Sequence, residues 1–147
     1  MDGTSGVARR QVARWTGVLM VVAAVSFGAA STVHWGVPVL GLRDPFPGAR
    51  VPEAVIGVVL LGGAAAALAR VAHAWGIAVA ATGFAILGTL VGLRFTIGGG
   101  VPGDIVYHAA ILAALVVIMV ALVTGGGRRT PRRPAQGSRR PRRTTGA

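Results

Sequence analysis

Asp104, Tyr107 and His108 stand at the head of an apolar stretch, in PGDIVYHAAIL at positions 102–112. The chain has only four acidic residues and three histidines, so where they fall is informative. Asp104 and His108 are four apart, which puts them on one face of a helix, where a hydrogen bond could satisfy both. His34 closes an earlier apolar run, Glu53 opens a second, and Arg94 closes a third. If these runs cross a bilayer in alternation, His34, Glu53, Arg94, Asp104, Tyr107 and His108 meet at one end. Ionisable groups within a membrane bundle usually face inward and pair, so this cluster is the default site.

Three chemistries suit such a cluster. Two imidazoles and a carboxylate form a donor set for a divalent metal. His34 and His108 on facing helices could ligate a haem. A polar ligand, a headgroup or a partner protein could sit against the cluster without either cofactor. The third fits best, because the histidines come from distant segments and no short metal-ligand motif is present. His73 falls on the opposite side and cannot join the group.

Each residue also has an ordinary structural role. Pro52-Glu53 and Pro102-Gly103-Asp104 read as helix beginnings, where proline is tolerated and a carboxylate meets free N–H groups and the positive helix end. Arg94 complements a helix C-terminus, and Tyr107 suits a membrane interface.

Other function classes lack their residues. With no cysteine, disulfide, thiolate-metal and thiol redox chemistry are excluded. No P-loop, GxSxG or HExxH occurs, and no carboxylate lies deep in an apolar run as a small proton-coupled pump would need. The Gly98–Gly100 run follows no strand and reads as a turn.

The elements that would position the cluster follow from composition. The 147 residues are 53% hydrophobic with mean hydropathy +0.67, too apolar for a water-soluble domain of this size. Four apolar runs predict an all-α integral membrane protein, a four-helix up-down bundle with spans near 16–35, 53–70, 75–94 and 104–124. Residues 1–14 form a polar leading segment, 15–124 the membrane domain, and 125–147 a tail without apolar periodicity, expected to be disordered. Prolines 38, 45, 47, 52 and 102 are expected in loops or at helix starts. The second span is short and rich in alanine and glycine. A basic stretch, an apolar run and FGAAS also allow a cleaved signal peptide over about residues 1–30, but the apolar run is long for one. A faint echo between GLRDPFPGARVPE and GLRFTIGGGVPGD hints at a duplicated hairpin, in a composition where such matches are common.

Orientation comes from charge. All fifteen basic residues are arginine, and net charge is +11. Lysine is absent while alanine, glycine and valine abound, which points to a GC-rich bacterial genome. Twelve arginines fall on the side of the termini and three on the side of the longer loops, so the positive-inside rule predicts cytoplasmic termini in a plasma membrane. Arg128, Arg129, Arg132, Arg133, Arg139, Arg140, Arg142 and Arg143 form a tail that should attract anionic lipid headgroups. The tail lacks aromatic residues, so specific nucleic-acid recognition is not expected. Gly88 and Gly92 form a GxxxG, and Ala24 and Gly28 share its spacing. Close packing within the bundle is the favoured reading, ahead of a homo-oligomer face.

Together these features predict a small, non-enzymatic multi-pass protein, an accessory or scaffold component whose outer-face cluster takes a partner or small ligand. A metal-, haem- or quinone-linked redox subunit and a small oligomeric transporter are the alternatives.

Overall fold

The fold was obtained as a computed structural model, which describes residues 3–98 and 102–126, with side chains over 11–98 and 102–125. The arginine tail, expected to meet headgroups, lies outside the described residues. Four helices make up the fold: α1 (Gly3–His34), α2 (Pro47–Ala69), α3 (Ala74–Ile97) and α4 (Pro102–Gly126). All four are long and apolar enough to cross a membrane, α1 over Gln11–His34. The shortest has 23 residues. At about 1.5 Å per residue it reaches about 35 Å, more than a hydrocarbon core of about 30 Å.

α2 begins at Pro47, ahead of the expected start at Glu53, and this places Pro52 inside the helix rather than at its head. Pro47 takes the first helical position, where a missing N–H costs nothing. Pro52 then removes the N–H that the Gly48 carbonyl would have used. The loss falls near the helix start, so the helix continues. Glu53 is thereby set one and a half turns inside α2.

α1 ends in a two-bond cap. Val37 N–H reaches the Thr32 carbonyl at 3.2 Å and Gly36 N–H the Val33 carbonyl at 2.8 Å, with Gly36 at φ +83°. That left-handed turn is open to glycine without cost and reverses the chain. The connection folds back on the helix, and Phe46 N–H bonds the His34 carbonyl at 3.2 Å. α2 stops on the same kind of turn at Arg70, φ 56°, whose N–H bonds the Ala66 carbonyl.

Each helix packs on its neighbour in sequence, and α1 also packs on α4. Met20, Phe27, Leu60, Leu115 and Ile118 are fully buried at the centre. The outward positions are equally apolar: Val22, Val58, Leu87 and Val117 are all exposed. A water-soluble bundle would carry polar residues there, whereas lipid solvates such a surface. Small residues set the interhelix spacing. A Cβ on Gly57 would stand 3.1 Å from the Ala24 carbonyl oxygen and 3.7 Å from Gly28 N; one on Gly63 would stand 2.7 Å from Ala81 Cβ. One on Gly88 would come within 2.6 Å of Ile56 Cδ1.

Candidate functional site

At the end of the bundle where α1 stops and α4 starts, a cavity of about 250 Å³ opens among α1–α4 and the segment before α2. His34, Glu53, Asp104 and His108 all line it. Each arrives by a local device. His34 is the last residue of α1, and its Nδ1–H donates to the Asp44 carbonyl at 2.9 Å. The ring is 5% exposed and packs edge-on against Phe46, centroids 5.9 Å apart. A carbonyl can only accept, so Nδ1 carries the proton and Nε2 points away from the loop.

Glu53 lies opposite, 4% exposed. Its Oε1 is 3.5 Å from His34 Nε2, and neither carboxyl oxygen accepts a hydrogen bond. This is the least satisfied side chain among the described residues, since burying a carboxyl group without a partner is costly.

His108 is buried, one turn into α4. Its Nδ1–H donates to the backbone carbonyl of Asp104 at 2.8 Å. The expected side-chain bond between the two is replaced by this one. The carbonyl four residues back has a second lone pair to accept this bond, and the Asp104 carboxyl group lines the cavity, next to that of Asp44. His108 Nε2 points toward α3 at Gly92, where a Cβ would stand only 2.7 Å away.

Two of the six expected residues sit apart from the cavity lining. Arg94 is exposed. Tyr107 turns to the α1–α4 contact, where its hydroxyl accepts from Ser26 at 3.3 Å and its ring meets Phe27 edge-on at 6.4 Å. It also packs against the His108 ring, 5.5 Å between centroids, and so braces that imidazole from behind.

Some residues of the site carried no signal in the sequence. Phe27, Phe46 and Phe95 line the cavity, as do Thr89 and Thr96. Each threonine hydroxyl donates to the carbonyl four residues back, Thr89 to Ala85 at 2.7 Å and Thr96 to Gly92 at 2.9 Å. Ser31 ties α1 to the first turn of α2 by donating to the Arg50 carbonyl at 2.6 Å. Arg50 itself is occupied, its guanidinium 4.2 Å above the Trp35 ring. The two phenylalanines at helix ends, Phe46 and Phe95, could have been suspected as walls from their position beside His34 and Arg94 in depth. The threonines could not.

Both imidazoles show the arrangement metal-ligating histidines use, with Nδ1–H fixed on a carbonyl and Nε2 free. No group of three or more histidine, cysteine or acidic residues among the described residues is close enough to hold a metal ion. Comparison with models of protein families, with curated proteins and with solved structures returns no match.

Proposed function

We propose that this chain is a non-enzymatic accessory protein of the cell membrane that binds a small ligand in the cavity around Glu53. In this reading the four helices run up and down, the termini are cytoplasmic, and the cavity is at the outer end. One observation carries the binding role: a carboxyl group 4% exposed, with both oxygens unpartnered, faces a cavity large enough for a small organic molecule. Folded chains seldom leave such a group unsatisfied unless something else completes it. The mostly apolar walls with a few convergent polar groups are those of a ligand pocket.

A binding role is favoured over catalysis because the hydroxyls of Ser31, Thr89 and Thr96 near the cluster donate to backbone carbonyls. Transport through the bundle is not supported either. Met20, Leu60, Ala64 and Leu115 fill the bundle beneath the cavity, and the buried Thr82 hydroxyl is spent on the Ala78 carbonyl of its own helix. A haem-linked redox role is the second reading, favoured only by the two free Nε2 atoms. A Soret band in the purified protein, lost in His34→Ala and His108→Ala, would establish it.

A cavity-filling variant tests the binding role. Ala49 lines the cavity in the first turn of α2. Compounds from a small-molecule library should raise the thermal midpoint of the detergent-solubilised protein and lose that effect in Ala49→Trp. The lipid-facing Val58→Trp should keep it. A library in which no stabilising compound distinguishes the two variants would sink the proposal.

A further inference from the structure

The polar side chains of the cavity share a property that narrows its ligand. Each one with a proton has already spent it. Thr89 and Thr96 donate to carbonyls of their own helix, and His34 and His108 donate through Nδ1 to the carbonyls of Asp44 and Asp104. With neutral rings, both Nε2 atoms present lone pairs. Glu53 presents two unpartnered oxygens, and Asp104 adds a second carboxyl group. His34 Nε2 and Glu53 Oε1 stand 3.5 Å apart with no hydrogen bond formed between them, so a donor placed in the cavity could serve both.

The charge of the lining points the same way. The chain carries fifteen arginines against four acidic residues. Two of those four acids line the cavity, and no arginine among the described residues does. Arg50, the nearest in sequence to Glu53, is held over Trp35 outside the lining. The remaining walls are apolar and include the rings of Phe27, Phe46 and Phe95. Aromatic faces attract cations. A bare metal ion would find too few donors here, as the absence of a three-ligand group among the described residues shows. A molecule with a proton-donating cationic head could reach both Glu53 and His34 Nε2, which stand 3.5 Å apart, while a compact apolar body meets the remaining walls.

We infer that the cavity binds a small organic ammonium ion, its N–H groups directed at Glu53 and His34 Nε2 and its apolar body against the phenylalanines. This inference rests on the ligand-pocket reading above and specifies its chemistry.

A charge series with one scaffold tests it. Phenethylammonium, 2-phenylethanol and phenylacetate have similar size and differ in head group. Calorimetric titration of the full chain in detergent should show saturable binding of the ammonium, at least tenfold tighter than the alcohol, and none of phenylacetate. Glu53→Gln should weaken the ammonium at least tenfold and leave the alcohol within about twofold. Asp104→Asn, at a half-buried position that tolerates change better, should weaken the ammonium by a smaller factor. Equal binding of alcohol and ammonium, or preference for phenylacetate, would overturn the ammonium class while leaving the pocket in place. If the whole series fails to bind but library compounds remain sensitive to Ala49→Trp, the inference is again wrong and the pocket stands. Failure of both experiments removes the pocket as well.

Discussion

His108 shows how one side chain depends on a residue it does not resemble. Its Nε2 occupies the space a Cβ would take on Gly92, and its Nδ1 is held by the Asp104 carbonyl. The ring is clamped between these and Tyr107. Gly92→Ala should therefore displace the imidazole, at a cost of about 1–3 kcal/mol for overpacking. Unfolding titrations in mixed micelles measure this. Adding His108→Ala should recover part of the loss, since the clash disappears with the ring. An additive double mutant would show that the two do not touch. Ser31→Ala should cost about 1 kcal/mol in the same assay, by removing the 2.6 Å bond to the Arg50 carbonyl. The grouping of His34, Glu53, Asp104 and His108 was legible in the sequence, because depth in an alternating bundle follows from position along each apolar run. The partners were not. Asp104 and His108 share a face by spacing, yet the ring bonds the backbone, a choice made by the geometry of the first helical turn. Arg94 matches the cluster in depth but not in direction, and direction around the axis is weakly encoded where every face is apolar.

Among the elements, α3 is the one defined by smallness. Its buried face is Ala78, Ala81, Thr82, Ala85 and Thr89, with no large side chain. Bulk comes instead from a facing helix, as Ile56 of α2 over Gly88. Gly88 and Gly92 stood out in the sequence through their spacing. Gly57 and Gly63 did not, although Gly57 packs against backbone and leaves the least room to adjust. Burial of glycine depends on which face meets a neighbour, and a helix apolar on every side has no polar face to reveal it. Gly57→Val should destabilise the bundle more than Gly62→Val, whose Cβ would meet nothing within 4 Å. Comparable midpoints in thermal unfolding would contradict this packing. The end of α2 offers the converse. Arg70 adopts φ 56°, a conformation that costs a non-glycine residue about 1–2 kcal/mol. Arg70→Gly should raise stability by about 1 kcal/mol, read from the same unfolding curves. The chain carries fifteen arginines, so the loss of one should leave the charge bias along the sequence in place.

In the sequence the arginines concentrate toward the two termini, and the acid-lined cavity lies at the end of the bundle where α1 stops and α4 starts. The proposed orientation turns that end outward. The hairpin tip between α1 and α2 offers a probe of this, because Leu40 is 98% exposed there. Thr124, exposed near the end of α4, marks the other end. Three spans separate the two positions, so alternating crossings must put them on opposite sides of the membrane. The chain contains no cysteine, and single-cysteine variants therefore need no background correction. In intact cells, a membrane-impermeant maleimide should label Leu40→Cys, and Thr124→Cys only after permeabilisation. The reversed pattern would place the cavity on the cytoplasmic side, and its ligand would then come from within the cell. Labelling of both positions from one side would overturn the alternation, and with it the argument that depth along each apolar run gathers His34, Glu53, Asp104 and His108 at a single surface.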